Sequence, residues 1–201
     1  MPASNTARPV MLVVAGPPGS GKSTFFPIAA MGVDAFGIDD RCAQIVGSYR
    51  AIPPAVRKAV SQECETFVDQ HIAGGRSFAV ETTMRTLASV RQAEKARSHG
   101  FRTVLTFLCT SSPEINIERV IQRAQAGGHA ASEVEIRAVY AAALGNLVEA
   151  VRIFDRSRVL DTSEPWKRPR LVARVARGKS TLEPDAPPWA ANALLSGPDR
   201  G

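Results

Sequence analysis

Nine consecutive residues, Gly16-Pro17-Pro18-Gly19-Ser20-Gly21-Lys22-Ser23-Thr24, constrain this chain more than any others. They follow Val10-Met11-Leu12-Val13-Val14-Ala15, the apolar run of a strand buried on both faces of a parallel sheet. Together they form a G-x-x-x-x-G-K-[ST] motif in the strand-to-loop context that it requires. The glycines let successive main-chain N–H groups point inward and cradle phosphate oxygens, and a helix N-terminus behind them adds the positive end of its dipole. In this arrangement Lys22 reaches the β- and γ-phosphates of a nucleoside triphosphate and the Ser23 hydroxyl ligates Mg²⁺. The bland alternative is a glycine-rich turn, but it leaves the lysine, the hydroxyl and the apolar strand without a common reason.

A chain of 201 residues, 44% of them hydrophobic, suits one α/β domain with a core of normal size. Its net charge of +6 fits an anionic ligand without choosing among nucleotides, nucleic acids and sugar phosphates. Cys42, Cys64 and Cys109 are an odd, widely spaced set with no C-x-x-C pair, which indicates neither a disulfide framework nor a zinc site, and reduced thiols are expected. No apolar run approaches the ~18 residues of a membrane span, and residues 1–9 lack the core of a signal peptide. The expected setting is cytoplasmic.

Along the chain, a helix is expected from Lys22 to about Met31, ended early or kinked by Pro27. Asp34 to Ile38 reads as a second strand that delivers Asp39 and Asp40 to the rim carrying the P-loop, where open parallel sheets bind ligands. Phosphoryl transfer needs a carboxylate there to accept a hydroxyl proton or to hold the metal; a helix N-cap is the other use for one of the pair. Ala55–Ile72 has helical periodicity, and Ser77–Glu81 is a third strand that brings Glu81-Thr82-Thr83-Met84-Arg85 to the same rim. Thr82 or Thr83 could instead cap the helix expected over 87–98. His71 and His99 are expected to be solvent-exposed.

Arg102–Cys109 reads as the fourth strand. The helix after Pro113 carries Arg119 and Arg123 four apart, then runs into Gly127-Gly128-His129 before a helix over about 133–154 that holds Arg137. A glycine hinge flanked by cations suits a lid closing over a transferred phosphate, about residues 119–137. Ser157–Asp161 is a fifth strand and Leu171–Val175 a short edge strand, with Asp155 and Asp161 in cap or turn roles. The expected architecture is one domain over 1–178, a parallel five-stranded sheet flanked by helices, followed by a loosely ordered proline-rich tail over 179–201 that Trp189 pins to the body.

From Val10 to about Asp161 the chain resembles the zeta-toxin family of P-loop kinases in its short form. The resemblance rests on Ala15–Thr24, Asp40 with Ala43, Ser77–Thr83, Glu118-Arg119-Val120, Gly127-Gly128-His129 and Val159-Leu160-Asp161. It implies the kinase-type P-loop fold and phosphorylation of UDP-N-acetylglucosamine with ATP (or GTP) and Mg²⁺. In toxin members it also implies a small helical antitoxin partner. Residue by residue, Lys22 and the loop amides hold the triphosphate and Asp40 activates the attacking hydroxyl. Glu81, Thr83 and Arg85 line the acceptor site, and Arg119 neutralises the transferred phosphate. A second lid arginine of the family falls at His129, whose neutral imidazole brings less positive charge, and Arg123 stands one turn away to compensate. Two other functions remain open from the residues themselves: a P-loop kinase of another metabolite, nucleotide or polynucleotide 5′ end, and a non-catalytic protein gated by ATP.

Overall fold

A computed structural model describes residues 8–48, 52–125, 131–165 and 167–195. The centre is β1 (Val10–Ala15), whose side chains are almost all withdrawn from solvent. It lies between β3 (Phe78–Thr82) and β4 (Arg102–Cys109), parallel to both, with Val13 opposite Val80 on one side and Leu105 on the other. β2 (Asp34–Gly37) extends the sheet beyond β3, and β5 (Arg156–Asp161) extends it beyond β4. These five parallel strands confirm the expected α/β layer. All carboxyl ends lie on one rim, and the strand order reverses at β1, where such sheets form a ligand crevice.

Beyond these five strands the edge strand expected at Leu171–Val175 is present, and one further strand follows it. β6 (Arg170–Ala176) pairs antiparallel with β5, and β7 (Lys179–Leu182) pairs with β6, giving the order β2-β3-β1-β4-β5-β6-β7. Arg177 (φ 52°) and Gly178 (φ 74°) make the two-residue turn between them, a conformation suited to a tight hairpin. After β7 the chain forms a helix, Pro188–Leu195. Residues 179–195 are therefore built into the domain, contrary to the expected loose tail. Ala190 is fully buried and Trp189, Ala193 and Leu194 pack on the core. Proline count misled here because Pro188 sits in a helix's first turn, where its missing N–H does no harm.

The larger core lies on one sheet face, where Met11, Val13, Phe78, Leu105 and Phe107 meet three helices. These are α3 (Pro54–Ala73), α4 (Ala88–Ser98) and α6 (Glu133–Ile153), close to their expected bounds. A smaller cluster around Val14, Ala79, Leu108 and Leu160 fills the opposite face. The helix behind the P-loop is much shorter than expected: α1 covers only Lys22–Phe25, and one 3-10 turn (Ile28–Ala30) follows Pro27. Pro27 has no N–H to continue the ladder. Ile38, expected as the last residue of the second strand, instead begins α2 (Ile38–Val46). His71, expected at the surface, is buried, with Nδ1 2.7 Å from the Phe67 carbonyl and Nε2 3.0 Å from Asp34. It clasps the end of α3 to the start of β2. His99 is exposed as expected. No helix among the described residues is long and apolar enough to cross a membrane.

Candidate functional site

The P-loop leaves β1 with Gly16, Gly19 and Gly21 all at positive φ. Gly19 is also a matter of space, since a Cβ there would stand 2.6 Å from the main-chain oxygen of Asn116. Asn116 belongs to α5 (Pro113–Gln125), and its amide donates to the Pro18 carbonyl. The Tyr140 hydroxyl donates to the Thr110 carbonyl, and the Thr110 hydroxyl donates to Asn116, so α6 braces the loop through α5. On its other side, the Thr162 hydroxyl donates to the Ser20 carbonyl at 3.0 Å. With α1 only four residues long, its peptide N–H groups rather than a long macrodipole supply the loop's positive potential.

Lys22 Nζ is buried and donates to the carbonyls of Gly16 (2.9 Å) and Pro17 (3.3 Å). Burial holds its ammonium below the usual lysine range, partly opposed by the nearby charges of Glu81 and Asp39. The Ser23 hydroxyl donates to Glu81, 3.2 Å from each carboxylate oxygen. Desolvation raises the Glu81 carboxyl, against the pull of Lys22 and the Ser23 hydroxyl. Oxygen donors from one hydroxyl and one carboxylate suit a hard cation that completes its shell with phosphate and water. Among the described residues, no cluster of three or more His, Cys, Asp or Glu forms a self-sufficient metal cage.

Two cavities meet here. One, of about 280 Å³, is lined by P-loop residues Pro18, Gly19 and Gly21–Thr24, together with Asp39, Asp40, Glu81 and Arg123. The other, of about 250 Å³, is lined by Thr82, Thr83, Arg85 and Thr86, by the sides of α3 and α4, and by Ala131, Glu135 and Val139 at the start of α6. Pro18, Lys22, Asp39, Asp40 and Glu81 line both. Asp39 and Asp40 occupy the first turn of α2, where a helix favours negative charge, and neither is the N-cap, which is Gly37. Asp39 is held by Arg57 at 2.9 Å.

The β3 strand end places Glu81 and Thr83 in the second cavity, and Arg85 lies 3.6 Å from Glu135. The Thr82 hydroxyl accepts from the Met84 N–H at 3.1 Å and so shapes the turn, while the N-cap position of α4 falls at Leu87, which makes no side-chain capping bond. Arg123 lines the P-loop cavity, whereas Arg119 turns its guanidinium to the carbonyls of Thr162 (2.7 Å) and Ser163 (3.2 Å) and lines neither cavity. Arg137 pairs with Glu114, which holds that carboxyl down at about 2. His129 and the Gly127-Gly128 hinge lie outside the described residues. Arg57, Asn116, Thr162 and Glu135 were not legible as site residues, because their roles arise from packing between distant segments.

A family model described as an AAA domain matches residues 11–144. No curated protein matches the chain by sequence. Solved structures do match in fold. One is from the PezAT chromosomal toxin–antitoxin system of Streptococcus pneumoniae, with 16% identity and a TM-score of 0.65 over 97% of this chain and 82% of that one. Another, from the AvrRxo1-ORF1:-ORF2 complex with ATP, has 16% identity and a TM-score of 0.66. A third, from the Pnkp1/Rnl/Hen1 RNA repair complex, has 19% identity and a TM-score of 0.55. The match covers 90% of this chain and 62% of the AvrRxo1 chain, and 70% of this chain and 46% of the RNA repair chain. The fold implied by the zeta-toxin resemblance is thus shared with a structure from a toxin–antitoxin system. With the family model running from β1 into α6, the chain belongs to the AAA domain family.

Proposed function

We propose that this protein is a phosphotransferase that moves the γ-phosphate of ATP (or GTP) to a hydroxyl of a sugar-type acceptor, as in zeta toxins. The observation that carries this reading is the sharing of Lys22, Asp39, Asp40 and Glu81 between the P-loop cavity and the cavity beside it. A donor phosphate and an acceptor hydroxyl placed in the two cavities face one another across the same carboxylates. The fold likeness to a chain solved with ATP supports the donor assignment.

In this reading the P-loop amides and Lys22 bind the β- and γ-phosphates. Asp40 accepts the proton of the attacking hydroxyl as its oxygen bonds to the γ-phosphorus and the bond to the β-bridging oxygen breaks, leaving the nucleoside diphosphate. Arg123 neutralises charge on the transferred group, a task the zeta-toxin resemblance assigns to Arg119 and His129 as well. Ser23 and Glu81 would hold Mg²⁺, which when bound neutralises the β- and γ-phosphate oxygens. Glu81, Thr83 and Arg85 bind the acceptor, for which UDP-N-acetylglucosamine is the first choice on the zeta-toxin resemblance. That resemblance also supports a small helical antitoxin partner, testable by co-purification with the product of a neighbouring reading frame.

The test is nucleotide turnover by the purified chain against UDP-sugars, free sugars, nucleosides and a 5′-hydroxyl oligonucleotide, with mass spectrometry of each acceptor. A sugar acceptor heavier by one phosphoryl group supports the proposal. Phosphorylation of the oligonucleotide alone, or ATP binding without any acceptor product, contradicts it.

A further inference from the structure

The two faces of the sheet are not covered alike. α3, α4 and α6 pack on one, while the apolar cluster on the other centres on Val14, Ala79, Leu108 and Leu160 and leaves the outer strands open. There Arg156 and Arg158 of β5, Arg174 of β6 and Lys179 of β7 are all exposed. Strand register sets them on one face in two adjoining rows. Arg158 lies opposite Arg174, and Arg156 lies opposite Ala176, which in turn lies opposite Lys179. The Arg158 guanidinium donates to the Thr106 hydroxyl at 3.1 Å and stands over the ring of Phe26, a member of the smaller cluster, 5.8 Å from its centroid. These contacts identify the face as the one away from α3, α4 and α6.

Like charges directly opposite one another on a sheet repel and cost stability, so the Arg158–Arg174 pairing needs another reason. Among the described residues, the one carboxylate in an ion pair with any of the four cations is Glu183, 3.9 Å from Arg174. On a chain of net charge +6, such a group is complementary to a polyanion. The residues between the cations favour a nucleic acid over an acidic protein, because Thr106 and Ala176 offer none of the large apolar anchors that protein interfaces use. Arg158 is held in place by Thr106 and Phe26, and a fixed guanidinium plane is a platform on which an unpaired base stacks. Arg156 and Arg158 stand about 6.6 Å apart along β5, which lets successive phosphates of an extended strand meet one each.

We infer that this open face of β5, β6 and β7 is a docking surface for single-stranded nucleic acid. Arg156 and Arg158 lie in the first half of β5, whose far end carries Asp161 to the rim, and none of the four cations lines either cavity of the candidate site. The surface is therefore separate from the acceptor site, and the inference does not depend on which acceptor is phosphorylated.

The test is fluorescence anisotropy of a labelled single-stranded RNA with the full chain, as wild type, Arg156→Ala, Arg174→Ala and the double variant, over a series of salt concentrations. Wild type should bind, and the double variant should bind about tenfold more weakly at low salt. The slope of log affinity against log salt should shrink by about 0.7 for each arginine removed. A duplex of the same sequence should bind more weakly than the single strand, and Mg²⁺-ATP should not displace the RNA. Both arginines are exposed, so the thermal midpoint and nucleotide turnover of the variants should match wild type, and the single variants carry the test if the double variant folds poorly. No RNA binding by wild type, equal binding by wild type and variants, or displacement of the RNA by Mg²⁺-ATP overturns the inference. Tighter binding of polyglutamate than of RNA also overturns it and makes this face a site for an acidic protein.

Discussion

The Ser23 hydroxyl donates to both oxygens of the Glu81 carboxylate at 3.2 Å, joining the P-loop to the end of β3. Parallel pairing makes this meeting inevitable: Val14 lies opposite Glu81, so the loop after β1 and the end of β3 emerge side by side. The carboxylate is desolvated there, and its proton affinity is raised. That is the state of a group waiting for a cation.

Replacing Glu81 with Gln separates function from stability. A carboxyl whose folded-state pKa is raised contributes stability at low pH that is lost as pH rises through the folded value. At neutral pH the Glu81 charge therefore opposes folding, and Glu81→Gln should raise the thermal midpoint of the ligand-free protein. The same change should lower turnover by at least ~10²-fold and remove Mg²⁺-dependent stabilisation by ATP. Thermal melts with and without Mg²⁺-ATP check both halves.

Gly19→Ala should destabilise the fold by about 2 kcal/mol or more, because a strained backbone and an overpacked contact with Asn116 add. Gly32 has a similar φ of 72° but open space around it, so Gly32→Ala carries the backbone penalty alone. Urea denaturation of both variants measures the difference, and only Gly19→Ala should weaken nucleotide binding.

Lys22 loses its proton at lower pH than an ordinary lysine because burial disfavours the charge. A bound triphosphate restores the favourable environment. Nucleotide binding at alkaline pH should therefore take up protons, and affinity should fall as pH rises toward the ordinary lysine pKa of about 10.4. Calorimetry in buffers of different ionisation enthalpy reads the uptake directly.

Truncation after Gly178 removes β7 and the Pro188–Leu195 helix, which covers core positions with Ala190, Ala193 and Leu194. The loss should be about 2 kcal/mol or more, the scale of exposing one large apolar side chain. Urea denaturation of the shortened chain measures it; unchanged stability would mean that these residues add nothing to the core.

The parallel half of the sheet was legible because each strand is a short apolar run followed by glycine or polar residues, and β1, β4 and α3 fell close to their expected bounds. The rim position of Asp40, Glu81 and Thr83 was legible for the same reason, since each lies at or just after the end of a strand. What escaped was decided by tertiary pairing. β7 has the partly polar sequence Lys-Ser-Thr-Leu and exists through its ladder with β6. His71 is buried because α3 ends against β2, a relation between residues 37 positions apart. Arg119 and Arg123 look equivalent on one helix, yet only packing shows that the first meets the Thr162 and Ser163 carbonyls and the second the P-loop cavity.

The central claim is that Asp40 activates an acceptor hydroxyl opposite a P-loop-bound triphosphate. Its most direct test is phosphoryl transfer to UDP-N-acetylglucosamine by wild type and Asp40→Asn, followed by mass spectrometry, with ATP affinity measured alongside. The account predicts a phosphorylated sugar nucleotide with wild type and a fall of ~10²-fold or more in Asp40→Asn, with ATP still bound. Equal turnover by the two proteins would contradict it.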